Sequence, residues 1–118
     1  MKILPNPVFL AAILAFATFV QTGPASAMTG KELYDTCRAY PNDGQTASCE
    51  FFVSSLADVF RQDDTLGNPR GKICIGTDVP VAELVGTATK WLADHPEMQG
   101  MRAYDALYDP IARKYPCK

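Results

Sequence analysis

Apolar positions along this chain recur at helical spacing in four stretches. The clearest is Cys49, Phe52, Val53, Leu56, Val59 and Phe60, at i, i+3, i+4, i+7, i+10 and i+11. That stripe predicts a helix over Cys49–Gln62 with Ser48 as its N-cap. Upstream, Thr29-Gly30-Lys31-Glu32 has the Thr-x-x-Glu form of a capping box. It opens a helix over Gly30–Tyr40, with Leu33, Cys37 and Tyr40 on one face, which Pro41-Asn42-Asp43-Gly44 ends. Val81, Leu84, Val85, Ala88, Trp91 and Leu92 stripe a third helix, with Thr77 or Asp78 near its cap and Pro80 in its first turn. It stops at His95-Pro96, because the residue before a proline is pushed out of the helical region. Tyr104, Leu107, Tyr108, Ile111 and Tyr115 define a fourth helix over Glu97–Lys114, which Pro110 should kink or split. Asp63–Lys72, with Gly67, Asn68-Pro69 and Gly71, reads as a polar surface loop. Ile73-Cys74-Ile75 is too short to assign, either a bit of strand or a turn.

Four helices with short connections predict an all-α domain built from two antiparallel hairpins. The segment before them follows other rules. Lys2 precedes the apolar run Val8–Val20, and Pro24 leads into Ala25-Ser26-Ala27, an A-x-A cleavage signature. The run is shorter than the ~20 residues a bilayer span needs, so residues 1–27 read as a cleaved signal peptide rather than an anchor. No Cys follows it at a lipidation position. Cleavage would leave a single domain, 28–118, and would remove one charge, Lys2, changing the formal net charge from −2 to −3. The expected location is periplasmic or secreted, with no membrane attachment after cleavage.

That compartment gives the cysteines their meaning. Cys37, Cys49, Cys74 and Cys117 all lie in the mature part, without a Cys-x-x-Cys and with His95 the single histidine. The spacing suits neither a metal site nor a c-type haem. An even count in an exported chain predicts two disulfides. The hairpins choose among the three pairings: Cys37 ends the first helix where Cys49 opens the second, and Cys74 and Cys117 flank the third and fourth. Cys37–Cys49 and Cys74–Cys117 are therefore expected. Phe52, Leu56, Val85, Leu92 and Leu107 would pack the two hairpins together.

Composition narrows the function further. At 118 residues there is no room for a cofactor domain beside a substrate domain. The slightly acidic balance, 11 Lys and Arg against 13 Asp and Glu, argues against a nucleic-acid binder. Disulfides would remove the thiol nucleophiles, and His95 sits at a helix end, where the dipole accounts for it. Asp58, Asp63 and Asp64 cluster near the end of the second helix, where a solvated acidic face explains them better than an acid–base pair. Arg70 and Lys72 could hold an anion, but a solvated loop is the simpler account. No Gly-x-Ser-x-Gly, phosphate-loop or His-Glu-x-x-His pattern occurs. A non-enzymatic protein without cofactor, working through its surface, is expected.

The order of residues then carries a resemblance. A Cys ends the first helix and another opens an aromatic-rich second; Cys74-Ile75 and Leu84-Val85 follow. Next come Trp91-Leu92-Ala93-Asp94-His95-Pro96-Glu97, then Ala103, Ala106-Leu107 and the closing Tyr115-Pro116-Cys117. From Gly30 to Cys117 the chain resembles the Rap1a/Tai family of small exported immunity proteins. It departs from the family pattern in Phe51-Phe52 and Ser55, in Gly76 after Cys74-Ile75, and in Pro110. The resemblance implies a periplasmic protein that blocks a toxin delivered by a type VI secretion system, typically a peptidoglycan amidase, by filling its cleft. It is compatible with a homodimer. The loops Pro41–Ala47 and Asp63–Lys72 are the expected contacts. The alternative is a periplasmic stress or chaperone-like helical protein.

Overall fold

The computed structural model describes the backbone over 27–65 and 73–118, and side chains over 27–62 and 73–118. These residues form four α-helices: α1 (Gly30–Cys37), α2 (Thr46–Thr65), α3 (Val81–Asp94) and α4 (Ala103–Lys114), with a 3₁₀ turn over Pro96–Met98. Extended pairing among them is limited to two isolated antiparallel bridges, Thr29 with Arg102 and Ile73 with Pro116. The domain is all-α, as the periodicity predicts. The expected leader up to residue 26, and the part of the expected loop from 66 to 72 with Arg70 and Lys72, lie outside the described residues.

The capping box forms as written in the sequence. Glu32 N donates to Thr29 Oγ1 at 3.2 Å while Thr29 N donates to Glu32 Oε2 at 2.8 Å, so two otherwise orphaned donors are satisfied, worth about 1 kcal/mol. α1 ends at Cys37, three residues short of the expected Tyr40; residues 38–40 form turns, with Tyr40 N bonded to Cys37 O. α2 starts earlier than expected, at Thr46 rather than Cys49. Ser48 is therefore inside the helix, not its cap. The extra turn is fastened from before it: Asp43 Oδ1 accepts from Gln45 N at 3.2 Å, and Thr46 Oγ1 donates to Pro41 O and Asp43 O, each at 3.0 Å. At its other end α2 runs through Thr65, so the first part of the expected Asp63–Lys72 loop is helical.

The predicted fourth helix is divided. Pro96–Met98 makes a short 3₁₀ turn and α4 begins only at Ala103. Docking of the chain's N-terminal strap explains the break. Gly30 N bonds Met101 O, Lys31 N bonds Gln99 O, and Ala103 N bonds Met28 O, all at 2.8 Å. The segment 99–102 is thus spent pairing with 28–31, and Met28 O receives one of the donors that α4 leaves orphaned at its start. Pro110 does not split α4, which is continuous to Lys114. Leu107 and Ile111, buried on either side of it, hold that turn against the core. α3 stops at His95 as expected, but it starts at Val81 with Pro80 as its N-cap rather than in its first turn, and neither Thr77 nor Asp78 caps it.

Both disulfides form with the expected pairing, Cys37–Cys49 with Cα atoms 5.1 Å apart and Cys74–Cys117 at 4.9 Å. The first ties α1 to α2, and the second ties the strand-like Ile73–Ile75 to the chain end beyond α4. Cys74 N also bonds Tyr115 O at 2.8 Å. Arg61 reaches from α2 to the same segment, donating to Ile75 O and Gly76 O at 3.2 Å each. The core between the hairpins contains Leu33, Val53, Ala57, Phe60, Leu84, Val85, Ala88, Leu92, Ala106, Leu107 and Ile111. Of the residues expected to join the hairpins, Val85, Leu92 and Leu107 are buried; Phe52 and Leu56 are half-buried at the edge.

Candidate functional site

The α2 stripe is where the sequence pattern and the fold disagree most usefully. The residues buried along α2 are Cys49, Val53, Ala57 and Phe60. Phe52 and Leu56 are only half-buried, and Val59 is 43% exposed. At 100° per residue, Phe52, Ser55, Leu56 and Val59 centre about 100° around the helix from the buried set. α2 therefore carries two apolar faces. One packs against α1, α3 and α4, and the other looks outward.

The outward face is one wall of an open groove of about 490 Å³. Its other walls are Ala27 and Met28 of the N-terminal strap and Arg102, Ala103 and Tyr104 at the start of α4, with Leu33 also contributing. The lining is almost entirely apolar, Ser55 and Arg102 apart. Beside it Phe51, 68% exposed, sets its ring edge-on to Phe52 with centroids 5.8 Å apart. Met101, exposed as well, immediately precedes Arg102. Two of the three exposed large hydrophobic side chains among the described residues, Phe51 and Val59, thus stand on or beside one groove. Clustering of this kind marks an interaction site, whereas scattered exposure needs no explanation.

A second groove, which shares no lining residue with the first, differs in chemistry. It lies between α3 and α4, and in it Lys90 pairs with Asp94 at 2.8 Å. Lys114 lies 3.4 Å from Glu83 and donates to Thr87 at 2.9 Å. The hydrogen bond and charge of Lys90 hold the Asp94 carboxyl below its ordinary range. Trp91 is stacked by His95, centroids 3.7 Å apart, with the Arg113 guanidinium 5.2 Å from its ring centre. His95 itself is the C-cap of α3, and its Nδ1 is 3.0 Å from Glu97 Oε1. Glu97's own backbone N–H, and then His95, hold that carboxyl low. His95 thus ends α3 and pairs with Glu97.

Tyr115, at the end of α4, gives this side a measurable pH response. Burial of its hydroxyl, and after it the neighbouring Glu83 carboxylate, pushes its pKa from 10.0 up to about 12. The folded state then keeps the proton longer than the unfolded chain, so this contribution is complete below about pH 10 and is lost as the pH rises towards 12. The urea midpoint should fall across that interval, and Tyr115→Phe should flatten the fall while removing the last step of phenolate absorbance.

The remaining sequence candidates are soon placed. Asp58 pairs with Arg61 at 2.9 Å on the surface, and the side chains of Asp63 and Asp64 lie outside those described. No group of three or more His, Cys, Asp or Glu among the described residues could hold a metal ion. No described helix is long and apolar enough to cross a membrane. Of the two expected contact loops, Pro41–Ala47 is an exposed turn whose last two residues already belong to α2, and Asp63–Lys72 lies largely outside the described residues. The groove was missed because one helical stripe was assigned wholly to the core. The signal that would have found it is the uncharged run Phe51–Ala57, in which apolar residues span more of the helix than one buried face can use.

A small helical domain with two disulfides and an apolar groove at which Phe51 and Val59 are exposed has the surface of a binding protein. Its sequence says of which kind. The family model for Rap1a immunity proteins matches residues 29–117, from the capping box to the last cysteine, and the chain belongs to that family. Comparison with curated proteins and with solved structures finds no match to either. Immunity to a toxin is thus its general role, and a toxin its partner.

Proposed function

We propose that this chain is exported, is cleaved after Ala27, and in the periplasm binds and sterically blocks a peptidoglycan amidase delivered by a type VI secretion system. The observation that carries the reading is the family match over the whole of 29–117. The physical properties agree with it. The bridges Cys37–Cys49 and Cys74–Cys117 suit an oxidising compartment. A cross-linked domain also surrenders little conformational entropy when it docks, as tight inhibition requires. No chemistry is asked of it beyond binding, and it needs no cofactor. The proposal extends to a homodimer in which each copy presents one toxin-binding surface.

The test is periplasmic co-expression with the amidase-type effector encoded beside its gene. Cells making the full-length chain should survive and those making a form without residues 1–27 should lyse, and the protein recovered from the periplasm should begin at Met28. Lysis in both cases, with no co-purification, overturns the reading. Suppression of aggregation of unrelated periplasmic proteins without any effector binding would favour the stress-protein alternative.

A further inference from the structure

Resting on the immunity reading, we propose that the toxin docks on the outward face of α2 and the groove beside it, through a short apolar segment that carries no charge at its centre. Three observations converge on this surface. The first is the clustering of exposed apolar residues: Val59 lines, and Phe51 flanks through its contact with Phe52, a groove also lined by Met28, Phe52, Leu56 and Tyr104. The second is the absence of charge. From Phe51 to Ala57 α2 has no Asp, Glu, Lys or Arg, leaving only Ser54 and Ser55 as polar residues, small enough for close approach. Depletion of charge with enrichment of aromatics is the compositional mark of an interface centre.

The third is what surrounds the patch. Arg102, the one charged residue in the groove lining, is paired with Asp105 at 2.8 Å, and Asp58, next to Val59 on α2, is paired with Arg61 at 2.9 Å. A docking segment with a charge at its centre would bury it over apolar side chains, with no free counter-charge to meet it. An apolar segment, by contrast, seals the groove and leaves the rim pairs intact.

The test uses the protein recovered from the periplasm and the purified amidase effector encoded beside its gene, read by calorimetry and by survival of co-expressing cells. Phe51→Ser combined with Val59→Asp should keep the helical circular dichroism and melting behaviour of the parent, since Phe51 is 68% and Val59 43% exposed and neither belongs to the buried core. It should weaken effector binding at least about thirtyfold and abolish protection. Lys90→Glu, in the charged groove between α3 and α4, which shares no lining residue with the apolar one, should bind as the parent does. If the parent binds and the double variant binds equally well, the docking surface is wrong while the immunity reading stands. If the double variant changes only the sedimentation of the protein alone, from dimer to monomer, the groove belongs to a second copy and the proposal is overturned. Failure of the parent itself to bind overturns both.

Discussion

Replacing Cys37 and Cys49 together by alanine should lower the free energy of unfolding by about 4–5 kcal/mol, most of what some domains of this size possess. Two contributions add. Opening a loop closed over 12 residues returns about 3 kcal/mol of chain entropy to the unfolded state. Both cysteines are also almost completely buried, 1% and 0% exposed, and behave there as small apolar side chains whose sulfur atoms fill the space between α1 and α2. Losing them adds about 1–2 kcal/mol of packing. The other bridge balances differently. Cys74–Cys117 spans 43 residues, so loop entropy alone assigns it about 4 kcal/mol, but Cys74 is exposed and little packing is lost with it. Equilibrium urea unfolding should therefore find the two double variants nearly equal, and reductant should tell them apart. A thiolate must reach the sulfur it attacks, so mild dithiothreitol should open Cys74–Cys117 in the folded protein while Cys37–Cys49 survives until the domain unfolds. Alkylation of the freed thiols followed by mass spectrometry reads the order. Equal rates of opening would show that burial does not protect the inner bridge.

The same two bridges show how far the sequence could be read. Their pairing was legible because it depends only on which helix ends meet, and helix ends are marked by short-range chemistry: the Thr29–Glu32 box, the Pro41–Gly44 turn, His95-Pro96. What could not be read was set by tertiary contact. Nothing in residues 97–102 forbids a helix; they leave it because Met28–Lys31 claims their backbone groups. Nor does the sequence say that Arg61 bonds Ile75 O and Gly76 O, since the partners lie 14 and 15 residues away. The candidate site fell between these cases. The apolar residues of α2 were visible, but periodicity reports amphipathicity without saying which of two adjoining faces is covered, and α1, α3 and α4 cover only the one with Val53 and Ala57. Pro110 erred in the other direction. A local rule predicted a break, and the burial of Leu107 and Ile111 on either side overruled it.

Leu92→Ala should be the most damaging single substitution in the core, at about 3–4 kcal/mol, and should lower the melting temperature by more than about 12 °C. Leu92 is 0% exposed and sits on α3, the helix that touches α1, α2 and α4 alike. The walls of the resulting cavity cannot collapse freely. On one side Gly30 is fixed by its bond to Met101 O, and on another Gln99 donates through Nε2 to Leu92 O at 2.8 Å. Gly30 supplies an internal check on this geometry. A Cβ there would lie 3.0 Å from Leu92 Cδ2, but also 3.2 Å from Met98 O and 3.3 Å from Gln99 Cα. Gly30→Ala should therefore destabilise the parent by forcing both a side chain and a stretch of backbone to move. In the Leu92→Ala background the side-chain clash disappears and the backbone contacts remain. The double variant should then be more stable than the sum of the single losses implies, without full recovery of the Gly30→Ala cost, a coupling of about 0.5–1 kcal/mol in a urea-denaturation cycle. Strict additivity would mean that Gly30 and Leu92 do not share this contact, and that the strap, rather than α3, sets how closely α1 approaches the core.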